Sequence, residues 1–221
     1  MDLTEKLYLE AEPLWERQLE HPFVQGLGDG TLEGERFHRW LLQDYRYLQE
    51  VARVFAWAAA KAHRLESMSW YAAVLDLTLN TEMELHRTYA AEFGITTVEL
   101  EAAPMWPTTR AYTDFLVRTA ADGDLLDILA ALLPCAWGYV YLARKLAESG
   151  PFQDHPYSEW ITQYASQEFA EALDWLRQEM DRMSGAISQE KEERLREIFL
   201  TSTRYEWAFW EMCWNGEAWG G

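Results

Sequence analysis

Apolar residues recur every three or four positions along almost the whole sequence, the spacing that places them on one face of an α-helix. No alternating run of β-branched residues with hairpin turns interrupts this pattern. The sequence therefore predicts an all-α bundle of about seven long helices with almost no strand. The predicted long helices cover residues 4–20, 34–63, 66–93, 107–121, 125–149, 167–184 and 189–215, with short helical pieces near 97–102 and 156–164.

Glycines mark the ends of these helices, because glycine favours helix termination. They follow long periodic runs at Gly94, Gly123, Gly150, Gly185 and Gly216. The glycine-containing segment 21–30 has no preceding strand and no following Lys-Ser/Thr pair, so we interpret it as a turn-rich link and not as a phosphate-binding loop. With short connections and no Pro/Ser-rich linker, residues 1–221 are predicted to form a single helical domain.

Charge and cysteine content restrict the function classes. The chain has 19 Lys and Arg residues and 37 Asp and Glu residues. The resulting net charge of −18 repels nucleic-acid phosphates and anionic lipid headgroups. We see no secretion signal, and no charge-free apolar stretch that approaches the ~18 residues of a membrane-spanning helix. The two cysteines have no CxxC spacing, which argues against a zinc site or a disulfide framework. We therefore expect a cytoplasmic protein that binds neither nucleic acid nor membrane.

Ligand sites in helical bundles lie between helices, so reactive residues on apolar helix faces are the candidates. Cys135 directly follows Pro134, which removes a backbone hydrogen bond in mid-helix, and Tyr139 lies one turn further on the same face. Glu206 lies on an apolar stripe with Trp210, where a carboxyl group suits acid–base chemistry. The alternatives are a buried structural thiol at Cys135 and a structural ion pair with an arginine at Glu206.

Asp44 lies with Tyr47 on an apolar face of the second long helix. There its carboxylate could accept hydrogen bonds from a nitrogen heterocycle or an amine. The alternative is an ion pair with Arg46 or with an arginine of another helix.

Glu82 and His86 share a helix face, which raises the question of a metal site. The ferritin-like pattern, however, needs Glu and His three residues apart on two separate helices, and only Glu35 and His38 have that spacing here. We therefore predict no metal site and interpret His86 as a hydrogen-bonded core histidine.

In their order along the chain, these residues resemble the TenA-like thiaminase II family, the aminopyrimidine aminohydrolases of thiamine salvage. The matching segments are 21–32, Gln43-Asp44 with Tyr47, Glu82-Met83 with Leu85-His86, Pro107-Thr108 with Tyr112-Thr113, 129–135 with Trp137 and Tyr139, and Tyr205-Glu206 with Phe209-Trp210 and Met212. Each segment is weak by itself, but the ordered set covers nearly the whole chain and is specific. Residues 149–200 match least.

The resemblance implies a bundle of the haem-oxygenase-like type, usually assembled as a homotetramer. It implies hydrolysis, without a cofactor, of 4-amino-5-aminomethyl-2-methylpyrimidine to the 5-hydroxymethyl pyrimidine and ammonia; some members also cleave thiamine. A non-enzymatic pyrimidine-binding or regulatory protein on the same fold is the alternative from another class. A haem- or metal-dependent oxidase is a third possibility, supported only by His38 and His86.

Carried over residue by residue, the resemblance makes Cys135 the nucleophile and Glu206 its acid–base partner. Asp44 would bind the pyrimidine nitrogens, and tyrosines would surround the ring. These tyrosines are Tyr47, Tyr112, Tyr139 and Tyr164, with Tyr157 as a competing match for the last of them. Cys213 is interpreted as a spectator.

Overall fold

The computed structural model describes residues 1–220, and their regular structure is helical throughout. The helices are α1 (Leu3–Leu19), α2 (Pro22–Asp29), α3 (Gly34–Lys61), α4 (Leu65–Leu77), α5 (Met83–Glu92), α6 (Thr97–Ala102), α7 (Pro107–Asp122), α8 (Leu125–Ser149), α9 (Ser158–Tyr164), α10 (Gln167–Ser184) and α11 (Gln189–Asn215). A π-helical turn, Thr78–Glu82, joins α4 to α5 without a break. No strand occurs in residues 1–220, so the all-α prediction is confirmed.

The helix count differs from the prediction in one segment. With α4, the π turn and α5 taken together, residues 1–220 hold ten helical segments, and the added one is α2. The Nδ1 atom of His21 accepts a hydrogen bond from the N–H of Phe23 (3.1 Å), Pro22 opens the helix, and Gly30 ends it with φ at +76°. The interpretation of 21–30 as a turn-rich link is therefore wrong, because a capping side chain followed by proline starts a helix.

The chain divides into two compact units. The first unit contains Met1–Glu33 and Leu129–Trp214; the second contains Gly34–Ile128 and the C-terminal residues from Asn215 onward. Helices α1, α2, α9 and α10 thus lie in the first unit with nearly all of α11 and most of α8, and α3 to α7 lie in the second. The single domain predicted for the chain stays a prediction.

Polar contacts in the first unit tie α1 to α10 and α11. The carboxylate of Asp181 accepts hydrogen bonds from the N–H and the hydroxyl of Thr4, at 2.9 and 2.6 Å. The amide of Gln18 donates to the carbonyl oxygen of Thr203 and accepts from the indole N–H of Trp210, both at 3.2 Å. Because buried polar groups are costly when unpaired, these bonds fix the position of α1 on the two C-terminal helices.

Helix α3 is central to the second unit, where it contacts α4, α5, α6 and α7. The buried side chain of Gln43 binds the segment that leads into α7. Its Oε1 atom accepts hydrogen bonds from the N–H of Trp106 (2.9 Å) and the hydroxyl of Thr109 (2.7 Å), and its Nε2 atom donates to the carbonyl oxygen of Pro104 (3.0 Å). These three bonds hold the start of α7 against α3.

Helix α8 is long and apolar enough, by length and composition alone, to cross a membrane. The expectation that no apolar stretch approaches this length is therefore wrong. Of the 18 residues in its most apolar stretch, 83% are buried inside the protein. A helix that is apolar on all sides and buried to this extent has the character of a core helix.

Three glycine-to-alanine variants separate two costs of adding a side chain. A Cβ at Gly30 would lie 2.7 Å from the Cβ of His155 at a φ of +76°, whereas Gly94 has a φ of +77° with no atom within 4 Å. We expect Gly94→Ala to lower the free energy of unfolding by about 1–2 kcal/mol through left-handed strain, and Gly30→Ala to lower it further. Gly34→Ala, with open space around it, is the control and should change it by less than ~1 kcal/mol. Urea unfolding measures all three, and equal losses for Gly30→Ala and Gly94→Ala would contradict the close contact.

Candidate active site

The predicted site residues divide between the two units. Cys135, Tyr139, Tyr164 and Glu206 lie in the first unit, and Asp44, Tyr47 and Tyr112 lie in the second. All of them are buried except Cys135, which is partly exposed. Both cysteines are thiols, and Cys213 is fully buried. The thiol at position 135 is therefore the more accessible of the two.

Two contacts define how α8 and α11 align within the first unit. The hydroxyl of Ser202 donates a hydrogen bond to the carbonyl oxygen of Ala131 (2.7 Å), and the ring centroids of Tyr139 and Trp210 lie 5.4 Å apart. In each pair the residue numbers differ by 71, and both members of the second pair come later in the chain. The two helices therefore run in the same direction here, with the same offset of 71 residues at both contacts.

The same offset predicts that Cys135 lies level with Glu206. Cys135 lies one turn after the first α8 contact and one turn before the second, and Glu206 has the corresponding position on α11. Because residues four apart share a helix face, we expect the thiol and the carboxyl group to face each other across the α8–α11 contact. Pro134 lies inside α8, which is continuous through it.

Aromatic rings pack around Tyr139 in the first unit. The ring of Tyr164 meets it edge-on at 4.8 Å, and the ring of Trp210 lies on it at 5.4 Å. Tyr157 instead donates its hydroxyl hydrogen to the carbonyl oxygen of Leu32 (2.6 Å). Tyr164 thus contacts another predicted site residue, Tyr139.

Tyr47 of α3 and Tyr112 of α7 form a pair in the second unit. Their ring centroids lie 5.1 Å apart and their hydroxyl oxygens lie 3.4 Å apart. The Gln43 contacts that hold the start of α7 against α3 also bring Tyr112 to this position. Paired phenols of this kind offer an apolar face and a polar end, which suits a small aromatic ligand.

Asp44 pairs with a histidine and not with an arginine. Its Oδ2 atom lies 2.6 Å from Nε2 of His86, and both side chains are buried. Arg46 instead donates to the carbonyl oxygen of Glu101 (3.1 Å). The alternative of an Asp44–arginine pair is therefore wrong. The guanidinium of Arg46 binds a main-chain oxygen, and His86 of α5 takes its place as the partner of the carboxylate. The interpretation of His86 as a hydrogen-bonded core histidine is confirmed.

Asp44 and His86, both buried, and the partly exposed Glu82 form a group that we call the acid–histidine cluster. The Nδ1 atom of His86 lies 3.0 Å from the main-chain carbonyl oxygen of Glu82. Burial lowers the pKa of His86, but the hydrogen bond and charge of Asp44 and the charge of Glu82 outweigh it, so the pKa is raised. Burial also raises the pKa of the Glu82 carboxyl group, against the opposing charge of His86. Sequence spacing links Glu82 to His86 but gives no sign of Asp44 as their partner.

Residues 1–220 contain no group of three or more His, Cys, Asp or Glu side chains arranged to hold a metal ion. A surface cleft of about 300 Å³ on the first unit is lined by Tyr8, Trp137, Arg144 and Arg177 among others. None of the predicted site residues lines this cleft.

The chain matches the model of the TENA/THI-4/PQQC family over residues 8–216. It is 45% identical over 220 residues to a Halalkalibacterium halodurans protein named aminopyrimidine aminohydrolase. The aligned residues cover 99% of this chain and 98% of that protein. A Bacillus subtilis protein of the same name is 36% identical, covering 99% of this chain and 92% of its own.

Solved structures agree with the sequence matches. A TenA homologue from P. horikoshii OT3 has a TM-score of 0.89 at 32% identity, covering 98% of this chain and 100% of that chain. Heme oxygenase 2 from Chlamydomonas reinhardtii has a TM-score of 0.60 at 14% identity, covering 96% of this chain and 97% of that chain, and shows the fold alone. The haem-oxygenase-like fold is thereby confirmed.

The α8–α11 register predicts that Glu206→Cys brings a second thiol next to Cys135. In protein that also carries Cys213→Ser, dibromobimane should bridge the two thiols and become fluorescent, because this short reagent joins only neighbouring sulfur atoms. Arg204→Cys, which is exposed on the same helix, is the matched control and should be labelled without bridging. Fluorescence and intact mass distinguish the two products, and equal bridging in both variants would contradict the register.

Proposed function

Because the chain belongs to the TENA/THI-4/PQQC family, we propose that it is an aminopyrimidine aminohydrolase of thiamine salvage. The substrate is 4-amino-5-aminomethyl-2-methylpyrimidine, which water converts to the 5-hydroxymethyl pyrimidine and ammonia; thiamine itself is a further candidate substrate. The observation that carries the proposal is the shared register of Cys135 and Glu206 on α8 and α11. A thiol beside a carboxyl group supplies a nucleophile together with a proton acceptor.

The difficulty of this reaction lies in expelling an amine from a carbon attached to an aromatic ring. Addition of the Cys135 thiolate to the ring carbon next to position 5 forms a C–S bond and breaks the aromaticity. The electron pair released into the ring then expels the protonated amine as ammonia, which leaves an exocyclic methylene group. Water adds to that methylene, the thiolate departs, and the ring becomes aromatic again. Covalent catalysis thus replaces one difficult step with easier ones.

Glu206 moves the protons in this scheme. A thiol in apolar surroundings resists ionisation, so it needs a neighbouring base. The carboxylate of Glu206 accepts the proton of Cys135 and delivers it to a ring nitrogen of the substrate as the thiolate adds. It then accepts a proton from the attacking water, so that one carboxyl group acts alternately as base and acid.

Asp44 and the tyrosines recognise the pyrimidine in this proposal. Within residues 1–220 the carboxylate of Asp44 accepts a hydrogen bond from His86 alone, on Oδ2, so Oδ1 can accept one from the 4-amino group. Tyrosine faces stack on the ring; the tyrosines are Tyr47, Tyr112, Tyr139 and Tyr164. The net charge of −18 attracts a substrate that carries an ammonium group.

We also propose that the protein is a cytoplasmic homotetramer. Helix α4 buries only Ser67 and Tyr71, although most of its residues are apolar. Along α4, the π turn and α5, large apolar side chains are between 39% and 82% exposed: Leu65, Met68, Leu77, Leu79 and Leu85. An apolar surface of this kind is typical of contacts between protein copies. Two cysteines that remain thiols suit a reducing compartment.

Substitution of the two catalytic groups tests the proposed reaction. We expect wild-type protein to release ammonia from the aminomethyl pyrimidine, and Glu206→Gln to lower kcat by about 10²- to 10⁴-fold because proton transfer is lost. Cys135→Ser should lower it at least as much, since a serine hydroxyl is a far weaker nucleophile. Cys213→Ser is the matched control and should keep its activity.

Two outcomes of the ammonia assay would overturn parts of this proposal. Undiminished activity in Cys135→Ser would remove the thiol from the mechanism. Wild-type protein that is thermally stabilised by the pyrimidine but forms no product would be a pyrimidine-binding protein and not an enzyme.

Substitutions that introduce charge into the exposed apolar surface of α4 and the π turn test the proposed tetramer. We expect a mass near four times the 25.9 kDa of one chain by light scattering. The double variant Met68→Glu/Leu79→Glu should give a smaller species, because burying carboxylates in a contact is costly. Val98→Glu, on the separate helix α6 and 76% exposed, is the control and should leave the mass unchanged. A wild-type monomer would contradict the assembly.

A further inference from the structure

The reaction proposed above leaves the histidine of the acid–histidine cluster unused. Both ring nitrogens of His86 face oxygen atoms: Nε2 faces Oδ2 of Asp44 at 2.6 Å, and Nδ1 faces the main-chain carbonyl oxygen of Glu82 at 3.0 Å. A carbonyl oxygen can only accept a hydrogen bond, and so can an ionised carboxylate. With Asp44 as the carboxylate, hydrogen bonds on both sides of the ring require a proton on each nitrogen. That species is the imidazolium cation.

The surroundings of His86 favour this charged form. The charged groups that face it within residues 1–220 are Asp44 from α3 and Glu82 from the π turn, and both are acidic. The indole of Trp40 packs against the imidazole with ring centroids 5.7 Å apart. An imidazolium buried beside two carboxyl groups is stabilised by opposite charge on two sides, in agreement with its raised pKa.

We propose that His86, as the imidazolium, is the positioning residue for Asp44: it binds Oδ2, holds the carboxylate in place, and leaves Oδ1 to accept a hydrogen bond from an amino group on the ligand ring. This inference rests on the proposed role of Asp44 in binding the pyrimidine. His86 acts through Asp44 and is not a catalytic residue.

The inference explains how the site would select a 4-amino group. The imidazolium of His86 binds Oδ2 of Asp44 at 2.6 Å and so fixes the direction in which Oδ1 points. A carboxylate oxygen held in this way accepts hydrogen bonds and donates none. A 4-amino group donates to this oxygen, whereas a 4-oxo group would place two acceptors against each other. His86 therefore makes the site specific for the amino form.

The protonation of His86 is tested by NMR of ¹⁵N-labelled protein without any substrate. Five histidines are present, and the signal that disappears in His86→Gln identifies this one. We expect both of its ring nitrogens to carry a proton at pH 7. In Asp44→Asn the titration midpoint of this signal should fall, because the partner charge is lost. A neutral ring at pH 7 in the wild type would overturn the proposal.

The sign of the pH effect follows from the raised pKa of His86. The pairing is fully present below the pKa of a histidine in the unfolded chain and is lost as the pH rises through the higher folded-state value. Affinity for the 4-amino pyrimidine should therefore weaken on the alkaline side in the wild type. In His86→Gln, whose amide donates to Asp44 without titrating, this alkaline loss should be absent.

The selectivity is tested by calorimetry with two unreactive ligands, 4-amino-5-hydroxymethyl-2-methylpyrimidine and its 4-oxo analogue. We expect His86→Phe to weaken binding of the 4-amino ligand by about 10- to 100-fold, the range for one hydrogen bond to a charged group, and to weaken binding of the 4-oxo ligand much less. His86→Gln should retain most of the preference. His63→Gln, at an exposed position, is the matched control and should bind as the wild type does.

The possible outcomes separate this inference from the proposed function. Equal weakening of both ligands in His86→Phe would make His86 a structural residue only and overturn the inference. If the wild type bound neither pyrimidine, the proposed function would fail, while the NMR experiment would still decide the charge of His86. His86→Gln covers the case in which His86→Phe does not fold.

Discussion

The hydrogen bond from Ser202 to the carbonyl oxygen of Ala131 is the contact on which the candidate catalytic pair depends. Pro134 has no N–H to give to the preceding turn of α8, so that turn is weaker than an ordinary one. A serine hydroxyl from α11 binds a carbonyl oxygen of this turn. The equal offset of the two α8–α11 contacts predicts which residue of α11 lies level with that thiol of Cys135. The carbonyl oxygen that Pro134 leaves without a helical partner is the neighbouring one, of Ala130.

A second constraint is electrostatic and belongs to the second unit. A chain with a net charge of −18 has few cations to place inside, and an isolated buried carboxylate is costly. Asp44 is paired with an imidazole, whose charge can be withdrawn by pH, and not with a guanidinium, whose charge cannot. Removing one member of such a buried pair leaves an uncompensated charge behind, so Asp44 and His86 depend on each other.

The sequence could predict what depends on one helix at a time. Hydrophobic spacing and capping residues locate the long helices, and the apolar stripes around Cys135 and Glu206 mark them as residues to examine. The partner of Asp44 could not be found in this way, because it depends on which helix packs against α3. Helix α2 is hard to recognise for a local reason: three glycines in 21–30 are typical of a loop, and the helix start depends on a capping bond from the His21 side chain that the sequence does not reveal.

The tyrosines show how the structure separates binding residues from structural ones of the same type. Sequence alone leaves Tyr157 and Tyr164 as competing matches, since both are aromatic and seven residues apart. The hydroxyl of Tyr157 is committed to a main-chain carbonyl oxygen next to the start of α3, which makes it a structural tie. Tyr164 meets the ring of Tyr139, one turn beyond Cys135. Ring contacts thus link Tyr164 to the face of α8 that carries Cys135 and Tyr139, whereas the hydroxyl of Tyr157 binds the main chain just before α3.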